Sequence, residues 1–558
     1  MASTNDPEIY SKIYKKVSRF FEIGRSELRI IVIYSVVVGF LSLSIPIAVQ
    51  NLVNSVAFGS ILLPIFTLSF MVFVGLGFSA VLKLAQRHVV EWLTLKVFYR
   101  TTSQLGAHIP NLSEEALDAT YDQTYFSRYL ELFSVQKNLS SLIIDVLDFI
   151  LVVGSGMLIV ALYHPAFLLF DFLLIASLAF VIRIIGRDGL RTKLEESEKK
   201  YEIATWIMGL SRPAVALRGS HGADLAAQRT EALSQQFIEA RGQHFGVLIR
   251  QHGGFLLISM LASTLLLGVG GVLVFKTQLS LGQLVAAEII LAGVLASIGK
   301  LDKIIESFYS ILASLSKLES LFSIPEEQAH SERHSISSIL GKFELNLLNY
   351  RYPNGPILWS PLSVRVAPGT TVAIIGTSGA GKSTFLEILY GLRSPVHGVI
   401  RVDDFDYKDL NIKELRDRIG YAGDFQALPE SLKDNLLLGK SIDFGRVVEM
   451  ARELSIEESI QSLPEGFNTS LESRTLPFSV GQLSRLSLLR ALIHEPDVLL
   501  VDEVLDELDS KNRKKILDRI LIEMKGKTVF IATHDHEIAN QCDLILELPS
   551  GTLTRRNP

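Results

Sequence analysis

The chain has 558 residues, more than one hydrophobic core usually organises, so at least two domains are expected. Its 54 Lys and Arg stand against 59 Asp and Glu, a net charge of -5 that argues against a global basic field for nucleic acid; a lone cysteine, Cys542, excludes an internal disulfide and fits a reducing cytosolic face. The mean hydropathy of +0.32 is high for a soluble protein, and the apolar residues crowd into the first half of the chain.

At the start, Ile9, Ile13, Val17 and Phe21 recur at helical spacing among basic residues. This predicts an amphipathic cytosolic elbow over residues 1–29, lying either on the inner leaflet or on the protein itself. No short apolar core closed by a cleavage site marks a signal peptide there. From Ile30 to Leu82 there is no Asp, Glu, Lys, Arg or His. A spanning helix needs ~20 apolar residues, so two spans are expected, at about 30–56 and 61–82, with a break near Ala57–Ser60. A second pair, about 142–162 and 166–185, flanks Tyr163-His164-Pro165, and a third, about 255–275 and 281–298, flanks Lys276–Ser280.

Cations set the orientation. Lys12, Lys15, Lys16, Arg19, Arg25 and Arg29 precede the first span and Lys83, Arg87, Lys96 and Arg100 follow the second, whereas the short loops carry only Lys276. Both termini are therefore expected in the cytosol, with membrane lipid as solvent for a multi-pass domain over 30–322 in the cytoplasmic (inner) membrane. Two long polar stretches, 83–141 and 186–254, suit helical hairpins reaching into the cytosol. Their turn-prone tips, near Ile109–Glu115 and Ser211–Ser220, are candidate contacts for another domain.

A polar linker, 323–342, precedes a domain over 343–558 of ordinary globular composition. Here the apolar run Thr371–Ile375 leads into Gly376, Thr377, Ser378, Gly379, Ala380, Gly381, Lys382, Ser383 and Thr384, which fits the phosphate loop G-x-x-x-x-G-K-[ST] at every fixed position. Its glycines let successive backbone N–H groups face one anion, Lys382 is placed for the β- and γ-phosphates, and Ser383 offers an oxygen to Mg²⁺. A second buried strand, Val498–Val501, ends in Asp502 and Glu503, as expected if Asp502 supports the metal and Glu503 polarises an attacking water. A third, Thr528–Thr533, ends in His534, and Phe478-Ser479-Val480-Gly481-Gln482 lies between the first two elements.

In this order and spacing these residues resemble the ATP-binding cassette family, and with six preceding spans the chain is similar to a half-size ABC exporter. The fold class this implies is an all-α six-helix transmembrane bundle with long cytosolic helical extensions, followed by an α/β P-loop ATPase domain. The resemblance implies Tyr352 as the aromatic stacked on adenine, with Tyr350 as alternative. It also implies His534 as the γ-phosphate switch, Asp509 in the loop that communicates across a dimer, and Lys382 and Glu503 in catalysis. Ser479, Val480, Gly481 and Gln482 would serve the partner's nucleotide. ATP and Mg²⁺ are the implied cofactors, a second half-transporter, identical or related, the implied partner, and nucleic acid is not one. Tyr125–Lys137 and Leu281–Glu288 are similar to segments of toxin and peptide secretion exporters, which adds a periplasmic adaptor as a candidate partner and peptide as a candidate cargo.

The chain departs from the family pattern twice. Tyr421-Ala-Gly-Asp424-Phe-Gln426 stands at the Q-loop, leaving Asp424 or Gln426 as its polar residue, and Val480 stands where a glycine is usual. Such changes resemble those of exporters with one weakened ATP site. The reading is ATP-driven export by alternating access; alternatives are one half of a heterodimer with a degenerate site, or a slowly hydrolysing regulatory membrane module. Within the spans, Asp145, Asp148, Asp171 and Glu288 are carboxylates open to cargo contact or to pairing inside the bundle.

Overall fold

The computed structural model describes residues 24–57, 63–120, 123–210, 217–327, 334–352, 355–472 and 476–555. The chain forms two compact units, one of residues 1–110 and 121–324, the other of residues 111–120 and 325–558.

The first unit is helical. Among the described residues, six helical stretches are long and apolar enough to cross a membrane: Arg25–Val56, Ile65–Asn111, Tyr125–Tyr163, Pro165–Ile185, His221–Phe275 and Leu281–Phe322. Helix Leu63–His108 has 46 residues and Ser220–Phe275 has 56, or about 70 and 84 Å at helical rise, far beyond the ~30 Å hydrocarbon core. The first has only Pro64, in its first turn where no intrahelical N–H is needed, and the second has no proline, so each continues from apolar span into polar extension without a break. Two findings differ from the expectation. The first helix begins at Arg25, so Arg25 and Arg29 extend the span rather than form an elbow, while 1–23 lie outside the described residues. That helix is also interrupted at Leu43, and Ser44–Ala57 completes the crossing. The fourth span ends in a turn of π-helix, Val181–Ile185, before Gly186.

Bulky side chains such as Phe66, Phe70 and Phe73 point outward, as lipid rather than water requires, while Phe167, Leu266, Ala287 and Ile298 close the interior. The spans' carboxylates fare differently. Asp145 pairs with Lys303 at 2.9 Å, which removes it as a free group. Asp171 is buried and lines a small cavity with Met157, Leu266 and Ile290. Glu288 has one buried carboxylate oxygen without a hydrogen-bond partner.

The second unit holds two sheets. Strands β1 (Phe343–Asn349), β2 (Leu362–Val366), β4 (His397–Val402) and β5 (Phe405–Asp406) form an antiparallel sheet in the order β2-β1-β4-β5. Strands β3 (Thr371–Ile375), β6 (Ile419–Ala422), β7 (Val498–Asp502), β8 (Thr528–Ala532), β9 (Leu544–Glu547) and β10 (Thr552–Arg555) form the other, in the order β10-β9-β3-β8-β7-β6. Strands β9, β3, β8, β7 and β6 pair in parallel. Strands covered on both faces read as continuous apolar runs, and β8 is buried at every position. Such a sheet binds ligands beyond the carboxyl ends of its strands, and there β3, β7 and β8 deliver the phosphate loop, Asp502 with Glu503, and His534.

Residues 111–120 fold with this unit. Leu112 bridges to Glu326, Ser113 N donates to Pro325 O at 2.9 Å, and Ser394 N donates to Glu115 at 2.7 Å, seating the short helix Glu114–Thr120. The first turn-prone tip, Ile109–Glu115, thus belongs to the second unit from Asn111 onward; of the other, Ser211–Ser220, residues 211–216 lie outside the described residues.

Candidate functional site

The phosphate loop follows β3 and opens helix Lys382–Leu389. Gly379 and Gly381 hold φ of 81° and 88°, where an L side chain is strained. At Gly381 a Cβ would also stand 2.9 Å from the indole of Trp359, whose Nε1 donates to Ala380 O at 2.8 Å. The loop is therefore braced from below by a buried aromatic. Lys382 is only 5% exposed; its ammonium donates to Gly376 O at 3.1 Å and pairs with Glu503 at 2.9 Å. Glu503 itself adopts a φ of 55°, its amide donating to Ala532 O at 3.0 Å, so a left-handed turn aims its carboxylate back over the loop.

Asp502 accepts from Ser383 Oγ and from Tyr421 OH, each at 3.0 Å. Burial pushes its carboxyl up to about 6, against the lowering effect of the two donors. Ser383 and Asp502 are hard oxygen donors at contact distance, a donor set that fits Mg²⁺. His534 is 71% exposed at its side chain, with Nδ1 3.0 Å from Asp506 and its amide donating to the same carboxylate at 3.1 Å. The hydroxyls of Tyr352 and Thr384 are 2.7 Å apart, tying the aromatic to the loop helix, and Tyr350 is buried edge-on behind it at 5.2 Å.

The other predicted residues lie elsewhere. Ser479 caps helix Val480–Ile493 in a capping box, with Ser479 N donating to Gln482 Oε1 at 2.7 Å and Gln482 N to Ser479 Oγ at 3.3 Å. Val480 is 62% exposed, and Gly481 passes close to Glu507, where a Cβ would sit 3.1 Å from its carbonyl. Among the described residues no hydrogen bond links this helix start to Gly376–Thr384. Asp509 caps helix Ser510–Glu523. Asp424 and Gln426 are both exposed; Arg490 holds their loop by lying 4.7 Å over the Phe425 ring and donating to Gln426 O at 3.1 Å. Sequence reading did not single out Trp359, Tyr421 or Asp506, which act through contacts distant in the chain. A hint was available for Trp359, one of only 3 tryptophans.

Known proteins resemble this chain in sequence and in fold. Residues 359–506 match the family model described as ABC transporter. The chain is 33% identical to multidrug resistance protein 4 of Entamoeba histolytica over 40% of its own length and 18% of that protein. It is 26% identical to the leukotoxin translocation ATP-binding protein LktB of Mannheimia glucosida over 60% of its length and 48% of that protein. The chain thus spans less than half the length of these relatives. A solved bacterial Atm1-family ABC exporter with ATP bound has the same fold, with a TM-score of 0.79 at 19% identity, over 95% of this chain and 94% of that one. Residues 359–506 thus match an ABC transporter domain, and the chain as a whole shares the fold of the Atm1-family exporter.

Proposed function

We propose that the chain is an ATP-driven exporter of the cytoplasmic membrane, with both termini in the cytosol, that works by alternating access as a dimer of half-transporters. One observation carries the reading: Lys382, Ser383, Asp502 and Glu503 converge within 2.9–3.0 Å contacts at the strand ends of a cassette, in a chain that also has six spans. In this reading Tyr352 stacks on adenine, and the Gly376–Thr384 amides with Lys382 cradle the phosphates. Ser383 and Asp502 would hold Mg²⁺, which supplies neutralisation of phosphate charge. Glu503 accepts a proton from the attacking water, and His534, held by Asp506, faces the γ-phosphate. Asp424 or Gln426 serves as the Q-loop residue, and Asp509 as the contact across the dimer. Ser479, Gly481 and Gln482 act on the partner's nucleotide.

Nucleotide would first break the Lys382–Glu503 pair, freeing the ammonium for phosphate and the carboxylate for water. ATP favours the closed pair only to the extent that it binds that state more tightly. LktB is a leukotoxin translocation ATP-binding protein. A polypeptide cargo, and an adaptor beyond the membrane, extend the proposal. The exposed Val480 favours one variant of it, in which a related partner supplies the stronger signature and Val480 serves the weaker site.

The test is ATP hydrolysis by the purified full chain in lipid nanodiscs against Glu503→Gln. Loss of the proton acceptor is expected to lower the rate by about 100-fold or more. Equal rates in parent and variant would reject the reading.

A further inference from the structure

Arg393 is a second focus of charge in the cassette unit, and it lies outside the phosphate site. It follows helix Lys382–Leu389 and is 7% exposed. A guanidinium so deeply buried requires carboxylates, and two share it: Glu387 of that helix, at 2.5 Å from Nε, and Asp118 of helix Glu114–Thr120, bound through Nη1. Nη1 also donates to Tyr350 OH at 3.2 Å. The planar fork lies 5.0 Å from the centre of the Tyr352 ring, whose hydroxyl reaches Thr384 of the phosphate loop. Thr384, Tyr352, Arg393 and Asp118 therefore form an unbroken relay of contacts from the phosphate loop to the 111–120 segment.

We infer that Arg393 is a positioning residue that backs the Tyr352 ring for a purine base, and that Asp118 holds it there, so that base binding and seating of the 111–120 segment are coupled. The inference rests on the adenine role proposed for Tyr352. Two carboxylates pull on one guanidinium from different sides. With both present the fork is held over the ring; without Asp118 it is free to turn toward Glu387, and the ring loses its backing. A base on Tyr352 favours the backed ring, so it also favours the Asp118 contact, and such coupling is reciprocal. Arginine is needed because a lysine ammonium can pair with the carboxylates but cannot present a plane to the ring.

The test uses the full chain in magnesium-free nanodiscs, where binding is read without turnover, and two probes: ATP, and inorganic tripolyphosphate, which has no base. Asp118→Asn is expected to weaken ATP binding by ~5-fold and leave tripolyphosphate unchanged. Arg393→Lys, with its charge kept, is expected to show the same split. Asp118→Asn added to Arg393→Gln is expected to cost nothing further, because the relay is already cut. Parental ATP affinity in Asp118→Asn would overturn the inference. So would equal losses for both probes, which signal a loosened fold, or additive losses in the double variant. A parent chain that bound neither probe would instead reject the nucleotide reading itself, and this inference with it.

Discussion

Trp359 shows how one side chain conditions the phosphate loop. Its ring is buried edge-on against Phe385 at 6.1 Å, and its N–H satisfies the Ala380 carbonyl inside the curl that ligand amides must keep. Trp359→Phe keeps most of the apolar fill but strands that carbonyl, at a cost of about 1–3 kcal/mol. If half of this appears as lost preorganisation, ATP affinity falls by about two- to twelvefold, since 1.4 kcal/mol is a factor of ten. Equilibrium ATP titration of the variant checks this; unchanged affinity would show the brace to be dispensable. The contrast with the legible residues is physical. Lys382, Ser383, Asp502 and Glu503 could be read from sequence because phosphate and water chemistry restrict both residue type and spacing. Tyr421 and Asp506 could not, because they reach Asp502 and Thr533 only after β6, β7 and β8 align in register.

Helix Val480–Ile493 has the Ser479 capping box at its start and His494 at its end, and the end makes a pH prediction. His494 Nε2 lies 3.0 Å from Leu436 O, while Nδ1 is buried without a partner, the pattern of a neutral ring donating one hydrogen bond. A cationic ring at a helix C-terminus would gain up to about 1 kcal/mol from the dipole. Burial outweighs that gain: it holds the imidazole below its ordinary 6.5, with Lys440 and Arg490 pushing the same way against the Leu436 bond. The unfolded chain therefore takes up the proton first, so this group's stability contribution is complete above pH ~6.5 and is lost as pH falls below it, by at most about 1.4 kcal/mol per unit. Thermal unfolding of the full chain at pH 7.5 and 5.5 should show acid destabilisation that His494→Gln, which retains a donor, partly relieves. An identical acid loss in both proteins would remove His494 as the cause. Element legibility follows similar logic. Spans and central strands announce themselves as apolar runs of the right length, and the interruption at Leu43 has a local signal in Pro46, which has no N–H to offer Ser42 O, whereas nothing in the apolar pattern marks the π turn at Val181–Ile185.

At the scale of the molecule, the proposed function gives residues 343–558 two incomplete halves of a nucleotide site. One has Lys382, Ser383, Asp502, Glu503 and His534; the other is the capped helix start at Ser479, with Val480 exposed and its hydrogen bonds turned to Gln482 and Ser459. If two copies complete each other, every site takes its phosphate loop from one chain and its signature from the other, as two-fold symmetry allows. Lys382→Ala disables the first half and Ser479→Arg the second, so each variant alone should hydrolyse almost no ATP. Mixing the two before reconstitution yields mixed pairs in half of the dimers, and in each mixed pair one site is built wholly from intact halves. Activity should therefore return to about one quarter of the parental rate, a fraction fixed by the symmetry of the pairing. Hydrolysis assayed on the mixed, reconstituted variants beside an active parent decides the matter: a mixture as silent as either variant alone would mean that each chain builds its site from its own residues, and that the exposed start of helix Val480–Ile493 faces something other than a second copy's nucleotide.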